Sequence, residues 1–183
     1  MMRHRSMFAC LAVAAIALAA PLGAQGTIKG WRGEFLDQMK DIEGKYAQLA
    51  AAMPWDKYSW RPAKGVRSVC EVFLHVSGDN VAIAASLGAK VPAGIDLNTV
   101  ENCPASKEKV IAEMQSLFAA VRTAVIATPD GDADAVVDFF GSKRTKRALL
   151  LALAEHAGEH LGQSIAYARM NGVVPPWSMA PPK

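Results

Sequence analysis

The chain has 183 residues, 51% of them hydrophobic and 20% charged, with a formal net charge of +3. That length fits one domain with a sizeable core, and the composition excludes wholesale disorder, a collagen-like repeat and a multi-pass membrane protein. Part of the positive excess is confined to the start, where Arg3 and Arg5 lie in a short basic segment.

Met1 to Ser6 is basic, Phe8 to Ala20 is almost purely apolar, and Pro21 to Gly26 supplies small residues and a helix breaker. This is the layout of a secretory signal peptide over residues 1–24, with cleavage after Ala24 or Gly26. The apolar run is short of the roughly 20 residues that a spanning helix needs; an uncleaved signal anchor is the rival reading. The mature protein is expected outside the cytoplasm, periplasmic or secreted, with no membrane association after signal removal. Loss of Arg3 and Arg5, with no acidic residue, lowers the formal charge from +3 to +1. A nucleic-acid partner then has no electrostatic basis. His75, His156, His160, Cys70 and Cys103 remain as the only histidines and cysteines.

From Ile28, the residues Trp31, Phe35, Met39, Ile42, Tyr46, Leu49 and Met53 recur at steps of three and four. They predict a first amphipathic helix ended by Pro54. An aromatic loop with Trp55, Tyr58 and Trp60 is expected to cover one end of the core or to line a pocket. Ser68 and Glu71 form a capping box that starts a second helix running to about Leu87. Gly88 to Pro104 reads as a long connection, which permits neighbouring helices to run parallel. Ser106 caps a third helix ending near Ala127, before Thr128-Pro129-Asp130-Gly131. Val136 to Phe140 is a candidate extended segment with no clear partner strand. A fourth helix is expected from about Ser142 to Asn171-Gly172. Lys143, Arg144, Lys146 and Arg147 crowd its start, as an anion site or a solvated basic turn. The fold class is all-α, a four-helix bundle over residues 27–174, followed by a Pro-rich tail over 175–183.

His156 and His160 are four apart on the last helix and project side by side. His75 lies on the second helix. Three neutral imidazoles from two helices suit one divalent transition metal and leave coordination positions open. His156-Ala157-Gly158-Glu159-His160 also matches the H-x-x-E-H zinc-protease signature, but no Asp or Glu follows His160 to act as the third ligand. The paired Glu-x-x-His motifs of di-iron bundles are absent, which favours a mononuclear site.

Tyr58-Ser59-Trp60-Arg61-Pro62 before Arg67-Ser68, the stretch Glu71 to Asn80 around His75, and His156 to Gln163 leading into Tyr167 to Pro176 resemble the DinB-like (YfiT-type) family of metalloenzymes. The resemblance implies an up-down-down-up bundle, often a homodimer, with His75, His156 and His160 holding Zn or Ni, or alternatively Mn or Fe. It implies hydrolysis, thiol transfer or isomerisation of a small-molecule substrate. Low-molecular-weight thiols are kept reduced mainly in the cytoplasm, so for an exported chain a hydrolase ranks ahead of a thiol-type transferase. A non-catalytic metal- or ligand-binding module is the alternative. Asp79, Glu159 and Glu155 are candidate acid or base groups, and Gln163 and Tyr167 candidates for orienting substrate. If the second and third helices run parallel, as the resemblance implies, Cys70 and Cys103 lie at one end. A disulfide is then feasible; two buried thiols are the other possibility.

Overall fold

The computed structural model describes residues 28–179. The expected signal peptide, its cleavage points and residues 180–183 of the Pro-rich tail lie outside them. The elements are α1 (Gly30–Ala52), α2 (Val69–Ala84), α3 (Lys107–Ala127), β1 (Val136–Phe139), β2 (Ser142–Thr145) and α4 (Lys146–Met170).

Most helix ends have a local cause. In α1 the apolar stripe Phe35, Met39, Ile42, Tyr46 and Leu49 is buried. Met53 leaves the helix with extended backbone because the following Pro54 disfavours the α region. Ser68 caps α2 reciprocally with Glu71. The carbonyls of Tyr58 and Trp60 accept from the amides of Cys70 and Val69, so the aromatic loop satisfies α2's free donors. Ser106 and Thr145 cap α3 and α4 with their hydroxyls. Gly172, at φ 74°, ends α4 in the left-handed region that a side chain would resist.

Side-chain ties across the bundle fix the helix directions. Arg32, near the start of α1, reaches Ile126 and Asp130 at the end of α3, whereas Lys107 at the start of α3 donates to Ala51 at the end of α1. These two helices are antiparallel. Tyr46 donates to the carbonyl of Ala157, and Trp31 lines a groove with Arg147, so α1 and α4 run parallel. Asn80 meets His156 while His75 faces His160, which makes α2 and α4 antiparallel. Cys70 and Cys103 are bonded, with Cα atoms 5.8 Å apart, and join the starts of the parallel helices α2 and α3. The result is an up-down-down-up four-helix bundle.

The core is one contiguous cluster in which Tyr46 packs against Phe73 and Phe118. Helix α2 sits between α3 and α4, and twelve of its residues are buried.

One detail corrects the sequence reading. Helix α4 starts at Lys146, not near Ser142, because Ser142–Thr145 pairs antiparallel with Val136–Phe139 in a four-residue ladder. The turn between the strands uses Phe140 at φ 48° and Gly141 at φ 80°. In the basic cluster Lys143 pairs with Asp138, Lys146 with Asp132 and Arg147 with Asp134, and Lys143, Arg144 and Arg147 are exposed. At the far end of the chain, Pro176–Ser178 forms a single 3-10 turn and Trp177 packs against the core.

Candidate metal centre

Helix geometry brings the three histidines together. His156 and His160 stand one turn apart on α4, and the antiparallel α2 places His75 opposite them. The ring centroids of His75 lie 5.3 Å from those of His156 and 4.7 Å from those of His160, and the α4 pair is 4.7 Å apart. One nitrogen from each ring lies within 4.8 Å of the other two, so the set could hold a metal ion. His75 is buried; the two α4 rings are partly exposed.

The outer nitrogens decide which atoms face inward. Nδ1–H of His75 donates to Glu101 Oε1 at 2.9 Å, that of His156 to Asn80 Oδ1 at 2.8 Å, and that of His160 to Gln163 Oε1 at 2.7 Å. A neutral imidazole with its proton on Nδ1 keeps a lone pair on Nε2. Three oxygens thus leave three Nε2 acceptors free to ligate, the arrangement that orients histidine ligands in metal sites.

A further layer holds two of those oxygens, whereas Asn80 Nδ2 is buried with no partner among the described residues. Arg67 grips Glu101 with two parallel hydrogen bonds of 2.8 and 2.9 Å. Gln163 donates from Nε2 to the hydroxyl of Tyr167 at 2.9 Å. Tyr167 is buried and stands edge-on to Trp60, with centroids 5.4 Å apart. The aromatic loop therefore reaches the histidine cluster through Trp60, Tyr167 and Gln163.

Electrostatics favour the neutral forms of His75 and His156. Burial is the main force holding His75 below the usual imidazole range, with Arg67 and His160 adding to it and Asp79 and Glu101 opposing. His156 is pushed down to about 4, first by burial and then by the two neighbouring histidines. Glu101 is held below the usual carboxylate range, chiefly by its hydrogen bond from Arg67. Unprotonated imidazoles near neutral pH are the form that binds metals.

Among the residues singled out from sequence, Gln163 and Tyr167 lie behind His160 and orient it. Asp79 approaches Nδ1 of His75 at 3.4 Å with its side chain half exposed. Glu159 is exposed beside the cluster, and Glu155 lines a separate groove with Phe139 and Arg144. Sequence reasoning missed Glu101 and the role of Asn80. Neither carried a periodic signal: Asn80 is five residues from His75 and so off its helical stripe, and Glu101 lies in an aperiodic loop.

A family model, the DinB superfamily, matches residues 38–164. Among solved structures, the chain is similar to a DinB-like protein from Bacillus cereus, at 20% identity and a TM-score of 0.68 over 78% of this chain and 93% of that one. It is also similar to a DinB-like protein from Bacillus subtilis, at 21% identity and a TM-score of 0.61 over 76% of this chain and 92% of that one. No curated protein matches.

Proposed function

The chain belongs to the DinB superfamily, and from its histidine cluster we propose that it is an exported, divalent-metal-binding protein that hydrolyses a small-molecule substrate. The observation that carries this reading is the engagement of all three Nδ1 atoms by oxygens, which leaves Nε2 of each ring as the free donor in a cluster whose ligand atoms from α2 and α4 lie within 4.8 Å of one another. Neutral nitrogen donors of this kind fit zinc or nickel, and a three-ligand set leaves room for a substrate. When bound, such an ion supplies Lewis acidity, making water a usable nucleophile near neutral pH and polarising carbonyl groups. The chain's own contribution is orientation: Asn80, Glu101 and Gln163 fix the rings, and Arg67 and Tyr167 fix Glu101 and Gln163. Asp79, partly exposed and 3.4 Å from Nδ1 of His75, stands with Glu101 on the outer side of that ring, where its charge favours a proton on Nδ1 and a lone pair on Nε2. The Cys70–Cys103 bond supports export, since disulfides persist in oxidising compartments.

Elemental analysis of the purified protein after zinc or nickel repletion tests the site. One ion per chain is expected in the parent and none in His75→Ala or His160→Ala; a parent that retains no metal overturns the reading. A panel of ester and amide substrates then compares parent with His160→Ala and Asp79→Asn. Turnover abolished by the first and reduced by the second is the expected result, whereas stoichiometric metal without turnover identifies a metal-holding module.

A further inference from the structure

Residues 85–106 connect α2 to α3 through a 3-10 turn at Ala85–Leu87 and irregular turns, yet the segment from Val100 to Cys103 lies along one side of α2. Three contacts fix it there. Val100, 6% exposed, packs directly on Gly78, where a Cβ would come 2.8 Å from Val100 Cγ1. Glu101 meets His75, and Cys103 is bonded to Cys70 in the first turn of α2. The partners 78, 75 and 70 fall in sequence as the segment rises from 100 to 103, so the segment runs antiparallel to α2 and is pinned at both ends with Glu101 between the pins.

This arrangement solves an entropic problem. A carboxylate on a long, irregular loop must be ordered before it can orient a ligand, and that ordering opposes the contact. The disulfide, bridging residues 33 apart, restricts the loop before any ion arrives. Gly78 does the same from the other side by letting Val100 approach the helix backbone.

We propose that the Cys70–Cys103 disulfide is a clasp for the metal centre: by holding Val100–Cys103 against α2 it keeps Glu101 on Nδ1 of His75, sets that ring's tautomer and strengthens binding of a divalent ion. The affinity part rests on the three-histidine reading above; the tautomer part does not. Glu101 is a positioning residue in this scheme, acting through His75.

The test measures zinc affinity by chelator competition, at a temperature where circular dichroism shows every variant folded. Glu101→Ala is expected to weaken binding by about 10-fold, the lower end for loss of an outer-shell partner. The Cys70→Ala/Cys103→Ala protein shows a comparable loss, and adding Glu101→Ala to it costs little more, because both changes act through one contact. Gly78→Ala leaves the disulfide and every hydrogen-bonding group in place; it also weakens binding, and Val100→Ala in the same chain restores it. In the metal-free parent, long-range proton–nitrogen spectra show His75 as the Nδ1–H tautomer, and in the Cys70→Ala/Cys103→Ala protein they show a substantial Nε2–H share. Fully additive affinity losses, or an unchanged His75 tautomer without the disulfide, overturn the clasp. A parent that binds no zinc overturns the three-histidine reading instead, and the spectra then decide the clasp alone.

Discussion

Tyr46 on α1 donates a hydrogen bond through the core to the carbonyl of Ala157, 2.9 Å away and one residue beyond His156. Helix α1 carries no ligand candidate, but this bond registers it against the ligand-bearing turn of α4. Tyr46→Phe keeps the ring packing and removes one buried hydrogen bond, which contributes about 1 kcal/mol. For a domain of this size, the melting temperature is expected to fall by roughly 3 °C. An unchanged melting temperature would show that the Tyr46 hydroxyl contributes nothing net.

Tyr167 should influence His160 without touching it. Tyr167→Phe removes the acceptor of the Gln163 amide, freeing Gln163 to rotate away from Nδ1 of His160. Zinc affinity is expected to drop several-fold, toward the ~10-fold range of outer-shell losses, while stability changes little because the contact with Trp60 is retained. Equal affinity in the two proteins would mean that the chain of contacts ends at Gln163.

The depressed histidines set a pH dependence for the metal-free protein. His156 titrates at about 4 in the fold against an ordinary value of 6.5. Between those values the unfolded chain binds the extra proton, so stability is full above the upper value and declines as the pH falls through the window. His75 shifts in the same direction. The melting temperature of His156→Asn should therefore decline less steeply than the parent's from pH 7 to pH 4. Parallel curves for the two proteins would contradict the assignment.

Away from the site, Glu43 and Arg122 pair between α1 and α3. Burial raises the Glu43 carboxyl above its ordinary value despite the arginine, and its Oε1 has no partner among the described residues. Arg122→Met strands the carboxylate and is expected to cost about 3 kcal/mol near neutral pH. The cost shrinks as the pH falls, because a raised carboxyl makes the fold less stable above the unfolded group's titration than below it. Adding Glu43→Leu should recover most of the loss. Denaturant titration of the three proteins at pH 7 and pH 5 measures both effects.

Helix positions were legible wherever periodicity and caps agreed, as in the Phe35 to Leu49 stripe and the Ser68–Glu71 box. The hairpin was not, because strands of four residues carry too few alternations to show a period of two, and the basic run from Lys143 reads equally well as a helix start. His156 and His160 declared themselves by helical spacing, and His75 by its apolar face. Glu101 escaped because its partner is set by a loop folded back on α2, and neither propensity nor periodicity reports where such a loop returns.

The parallel pairing of the first and last helices has a consequence for assembly. The Tyr46–Ala157 contact spans 111 residues of sequence and the Asn80–His156 contact 76, so neither can form until nearly the whole chain is available. Loops of that length close slowly and late. A chain emerging from its N-terminus would hold His75 ready, with its neighbouring loop already clasped, well before the other two ligands arrive. Capture of an ion by all three imidazoles would then report the last docking event of folding, which makes metal uptake by refolding protein a clock for closure of the bundle.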